Sequence, residues 1–208
     1  MILRDKVDMV GDFTFRTRNA SGHITDEYRD TNLIMDKARS NMAQLVAGVN
    51  DGAGSNGDPI NAFVLGTMGH VGTNILENKQ VGDLGFDSTR EDMFSEEDIA
   101  GVNYRVTFDP AGGLDVSTDG SGQNFVGTTP GPIDGIVCPV RRVVSDRTVT
   151  YTISIPIENA NPLEVGVQAI AYTEATLYTG DDIFSMKTFP ARVKEDTVSF
   201  EIIWSIIF

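Results

Sequence analysis

The chain has 208 residues, 40% of them hydrophobic, with 16 Lys and Arg against 30 Asp and Glu and a formal charge of −14. That length suits one domain spanning 1–208, able to bury about 70% of its unfolded surface without a metal or disulfide staple. The acidity repels phosphate, which excludes nucleic acid and anionic membrane surfaces as partners, and a single cysteine, Cys138, excludes an internal disulfide framework.

The opening residues MILRDKVDMVGDF have no cationic lead ahead of an apolar core, so no secretion signal is expected there. No apolar run reaches the roughly 18 residues of a membrane-spanning helix. Phe13, Phe15 and Thr17 repeat with a period of two and predict a first strand. His23 to Tyr28 (HITDEY) lies between two expected strands and reads as a polar hairpin. Met35, Ala38, Met42, Leu45, Val46 and Val49 then recur at spacings of three and four, which predicts one amphipathic helix over 36–47. Asp36 suits its N-cap and Gly48 its stop.

Five more strands follow. Ile60 to Leu65 is a short apolar run and predicts a buried strand. Tyr104, Val106 and Phe108 alternate with Arg105 and Thr107. Thr148 to Ile157 alternates almost without fault, with Val149, Tyr151, Ile153 and Ile155 on one face. Val165 to Leu177 predicts another strand, with Val165, Val167, Ala169 and Ala171 sharing a face. The last stretch, DTVSFEIIWSIIF, places Val198, Phe200, Ile202, Trp204, Ile206 and Phe208 on one side of a strand. Its second half is apolar on both faces, so it is expected to be covered on both, inside the fold or under a partner. Phe200, Ile202, Trp204, Ile206 and Phe208 are therefore the candidate core or interface residues.

Between these elements lie long Gly- and Asp-rich stretches, about 50–59, 81–100 and 109–135, read as loops and as arms that order against a neighbouring molecule. Gly52 to Gly57 fits G-x-G-x-x-G, but a helix precedes it and a strand follows, the reverse of a dinucleotide site. Asp115, Ser117 and Asp119 match the first half of a calcium loop, and the twelfth position is Val126 where a glutamate is required, so they form only a weak calcium candidate. Two histidines, His23 and His70, do not make a metal site. Ser55 and Ser121 fit no nucleophile elbow, and Cys138 has no adjacent cation to activate it. No catalytic residue, cofactor or metal is therefore expected. Carboxylate pairs such as Asp181 and Asp182 arise readily in so acidic a chain. Phe86, Phe94 and Phe125 in the loops leave a carbohydrate- or receptor-binding alternative open.

Three stretches carry a resemblance: residues 29–48, RDTNLIMDKARSNMAQLVAG; residues 60–69, INAFVLGTMG; and the closing block from Ala171 to Phe208. They resemble small β-sandwich virion proteins of tailed bacteriophages, in particular at Gly180, Phe184, Phe189, Arg192, Lys194, Asp196, Thr197 and Trp204. Residues 82–137 match nothing in that pattern. The resemblance implies a virion structural part, assembled in the host cytoplasm and without enzymatic activity. Its expected partners are copies of itself and other virion proteins of the neck, collar or tail, with capsid decoration as the alternative placement. The expected fold is mainly β, an antiparallel β-sandwich with the jelly roll as one candidate topology, carrying the helix near 36–47.

Overall fold

A computed structural model of the chain describes residues 9–47, 59–98, 100–108, 115–116, 122–127, 138–162 and 167–208, with 115–116 and 122–127 described by their backbone. Among them the elements run β1 (Val10–Asn19), β2 (Ile24–Ile34), α1 (Asp36–Ala47), β3 (Ala62–Gly66), β4 (His70–Val71), β5 (Asn74–Asn78), α2 (Phe94–Glu97), β6 (Asn103–Thr107), β7 (Asp115–Val116), β8 (Gly122–Gly127), β9 (Cys138–Ser145), β10 (Thr148–Ile155), β11 (Ile170–Thr179), β12 (Asp182–Lys194) and β13 (Val198–Ile207). The protein is mainly β. Eleven strands form one nearly closed antiparallel sheet in the order β6-β3-β11-β12-β2-β1-β13-β10-β9-β8-β7, and β4 and β5 make a separate ribbon.

The closing strand sits in the middle of this sheet. β13 pairs with β1 on one side and β10 on the other, so its backbone has no open edge. Phe13, Trp204 and Tyr151 lie abreast, as do Phe15, Ile202 and Ile153. The Phe13 and Trp204 rings meet edge-on at 5.0 Å, and Phe15 and Phe200 do so at 4.8 Å. This inner face joins Phe63 and Leu65 of β3, Leu177 of β11, Phe184 and Phe189 of β12 and Val140 of β9 in one apolar core. Period-two alternation in the sequence thus becomes one dry and one wetter face.

The half built from β3, β11 and β12 differs. All five residues of β3 are buried, as is every residue from Tyr172 to Thr179 and from Ile183 to Phe189. Its second face carries its own cluster, in which Ala62, Val64, Tyr178, Ile183 and Met186 meet Met35, Phe86, Met93 and Phe94. Residues 81–98, expected as an arm for a neighbour, therefore pack on their own sheet and include the short helix α2.

The two halves join through β2. It pairs with β1 along most of its length, but with β12 only through Leu33 and Ile34 opposite Met186 and Ser185. Where that ladder stops, side chains span the gap: Lys187 Nζ lies 2.7 Å from Asp30, Arg192 lies 3.0 Å from Asp26, and Tyr28 OH donates to Asp30 at 2.8 Å.

Other expectations are corrected. Helix α1 occupies Asp36–Ala47 as predicted, but its stripe is covered only at Met35 and Ala38 and partly at Met42. Leu45 and Val46 are exposed, Val46 by 85%, and Val49 lies outside the described residues. The strand expected from Val165 begins instead at Ile170, which faces Lys194, the last residue of β12; among the described residues no partner strand continues the ladder before that point. Val167 is exposed and Val165 lies outside the described residues. The loop expected over 109–135 contains β7 and β8, because 122–127 pairs with 138–143 of β9. The glycine-rich stretch 50–59 lies, apart from Pro59, outside the described residues.

Candidate interaction surface

Between β3 and β6 the chain leaves the sheet at Thr67 and returns at Val102. A buried polar anchor holds this excursion down. Glu174, fully buried on β11, accepts hydrogen bonds from the backbone N–H of Phe94 at 3.1 Å and of Ser95 at 2.8 Å, and from the Ser95 hydroxyl. Ser95 Oγ in turn accepts from the N–H groups of Thr67 at 2.8 Å and Met68 at 3.1 Å. Burial pushes the Glu174 carboxyl up, and the hydrogen bonds from Ser95, Phe94 and Met68 oppose that shift. Gly66 is required beside the anchor: a side chain there would collide with Ser95 Oγ and the Glu174 carboxylate.

The two cations of the excursion also turn inward. Lys79 donates to the carbonyls of Met68 and His70, both at 2.6 Å, and lies 4.3 Å from the Phe94 ring centre. Burial lowers its pKa. Arg90 stacks on the other contact of that ring at 3.6 Å, donates to Gly85 O and pairs with Glu97 at 2.7 Å. Tyr178 OH donates to Glu96 at 2.9 Å, and Thr173 Oγ1 accepts from Gly69 N–H at 2.9 Å.

With its cations turned in, the outer side of the excursion is acidic and partly apolar. Glu77, Asp83, Asp87, Asp92, Glu97 and Asp98 are exposed. Among them stand Ile75 and Leu76 on the β5 ribbon and Val81 and Leu84 after it; Leu76 is 72% exposed and Leu84 fully so. Exposed apolar side chains rimmed by charge, on a segment fixed from below, form a surface suited to protein–protein contact.

The candidates from the sequence take definite places. Phe200, Ile202, Trp204 and Ile206 are buried within the chain's own core, and Phe208 is half-buried against it. Their face is thus covered by the same molecule. On the opposite side of β13, Ile203 and Ile207 are half-buried beside Thr14, Thr152, Val10 and Thr148. Asp115 lies in β7, and Ser117 and Asp119 lie outside the described residues. Among the described residues no group of three or more His, Cys, Asp or Glu could hold a metal, and no helix is long and apolar enough to cross a membrane. His23 is exposed in the β1–β2 turn.

The structure removes support from the binding alternative. Phe86 and Phe94, which kept a carbohydrate binder open, are buried under the excursion, and Phe125 carries no described side chain. Asp182 is held by Lys37 at 2.7 Å while Asp181 is exposed in the adjoining turn. The Cys138 thiol is buried, 3.0 Å from Tyr104 OH and from the donating Asn159 amide; burial pushes its pKa up. Sequence reasoning missed Glu174, Ser95 and Lys79. The available signal was a glutamate at the centre of AYTEATLY, an otherwise apolar and small-residue strand. No family model matches the chain, and no curated protein or solved structure does either.

Proposed function

We propose that the chain is a non-enzymatic structural subunit of a tailed-phage particle, self-associating around the neck, collar or tail and bridging neighbouring subunits. The observation that carries this reading is the anchored excursion. A buried carboxylate and two inward-turned cations hold it on the sheet, while its outer side offers Leu76, Val81 and Leu84 among carboxylates. A rigidly held surface of that kind loses little conformational freedom on association. The resemblance of the closing block to virion β-sandwich proteins supports the same reading. In this reading the β3–β11–β12 and β1–β13–β10 halves are the two leaves of an antiparallel β-sandwich. The single core drawing on both halves supports that description. The particle is the site of action, and other virion proteins are the partners.

Solution mass, measured alone and then with purified phage subassemblies, tests the proposal. An oligomer that co-migrates with neck, tail or capsid pieces is expected. A monomer at every concentration that joins no particle overturns it.

A further inference from the structure

The corner after β12 holds a lysine whose surroundings are unusual. Lys194 is fully buried. Three oxygens surround its Nζ: Asn161 Oδ1 at 2.8 Å, Ile157 O at 3.0 Å and Glu195 O at 3.0 Å. No carboxylate among the described residues pairs with it. The amide it meets is also fixed, because Asn161 Nδ2 donates to Ile157 O at 2.7 Å. The loop that carries Asn161 is pinned in turn: Tyr172 OH donates to Ala160 O at 2.9 Å, and Ala160 takes the left-handed conformation at φ 58°. A buried amine and a half-buried carboxamide are thus held in contact across the loop that follows β10 and the corner between β12 and β13.

We propose that Lys194 and Asn161 condense to an intramolecular isopeptide bond. The Nζ lone pair attacks Asn161 Cγ, a C–N bond forms, the Cγ–Nδ2 bond breaks, and Nδ2 leaves as ammonia with the proton that Nζ gives up. No oxidant, reductant or cofactor enters, and the balance closes on the two side chains alone. Burial supports the chemistry, since it pushes the lysine down to about 8 and so populates the neutral, nucleophilic amine near neutrality. The charges of Glu158, Asp196 and Glu195 oppose that shift without forming an ion pair with Nζ among the described residues. The bond closes a covalent ring from 161 to 194 through β11 and β12. It would fasten the doubly covered half of the sheet independently of strand pairing. The inference stands on this corner alone and does not depend on the assembly reading.

Intact-mass spectrometry of the full chain is the test. The purified protein is expected to weigh one ammonia less than its sequence, and protease digestion is expected to release a branched peptide joining the Asn161 and Lys194 segments. Asn161→Ala and Lys194→Arg should each restore the full mass. Should Lys194→Arg fail to fold, Asn161→Ala, which alters a half-buried loop residue, carries the comparison. A full sequence mass after prolonged incubation at mildly alkaline pH overturns the proposal, and leaves Lys194 as a hydrogen-bonded loop clamp. Loss of ammonia mapped to a succinimide at any asparagine, with no branched peptide, overturns it equally.

Discussion

The two halves of the sheet solve burial differently. In β1, β13 and β10, buried apolar side chains alternate with mostly polar ones on a partly exposed outer face: Thr14 and Thr152 flank Ile203 there, and Asp12 and Thr150 flank Ser205, with Thr150 and Ser205 hydrogen-bonded at 2.9 Å. In β3, β11 and β12 both faces are covered, so polar residues on the second face lose water. Glu174, Thr173 and Thr188 then need protein partners, and the excursion supplies them. A one-faced half is held by packing on its inner face and by ion pairs and hydrogen bonds between neighbouring strands on its outer face. A two-faced half depends on a distant segment arriving with matching donors.

Trp204→Ala should break the shared core and have the largest effect. A loss of about 3–5 kcal/mol in urea unfolding is expected for an indole removed from such a core. Trp204→Phe should cost less than that, because Trp204 Nε1 meets no hydrogen-bond acceptor among the described residues.

Glu174→Ala comes next and should act on one half only. It strands the N–H groups of Phe94 and Ser95, at about 2–3 kcal/mol. Amide exchange should accelerate across 67–98 and not in β1 or β13; uniform acceleration would remove the distinction between the halves.

Acidity should separate the halves as well. The folded Glu174 carboxyl lies above its ordinary value, so its contribution is complete below the ordinary glutamate range and is lost as pH rises through the raised value. Glu201 runs the other way. Burial raises its carboxyl, but hydrogen bonds from Arg16 at 2.8 Å and Arg18 at 3.0 Å outweigh it and leave it lowered. Its contribution is present above the ordinary range and lost as pH falls through the lowered value. On moving from about pH 7 to about pH 4, wild type should gain on Glu174→Gln and lose part of its lead over Glu201→Gln, read from urea midpoints. Parallel trends in the two variants would contradict the assignment.

Smaller effects belong to the seam and the surface. Lys187→Met removes the link to Asp30, which is itself exposed, and about 1 kcal/mol is expected. Leu84→Ser should change stability by less than about 0.5 kcal/mol. If the excursion is the contact surface, the same change should weaken oligomer formation, read by sedimentation.

Much of the one-faced half was legible. Alternation in Thr148–Ile155 and Val198–Ile207 identifies strands and their inward residues, because a pleat converts period two directly into sides. Helix α1 was legible in extent but not in cover: Leu45 and Val46 repeat at helical spacing, yet the helix buries only Ala38 and Asn41. The anchor was legible only as an isolated glutamate between Thr173 and Ala175, whose partners stay unknown until a segment 79 residues earlier in the chain is laid over it.

Sequence by itself therefore determined a β-rich chain, its helix, its inward-facing aromatic residues and its acidity, all of which follow from local spacing and composition. Tertiary structure alone decided that the closing strand lies between β1 and β10, that residues 81–98 cover their own sheet, and that Glu174 and Lys194 are buried. Those outcomes depend on contacts between residues far apart in the chain, which no local period encodes, and on the desolvation that such contacts impose.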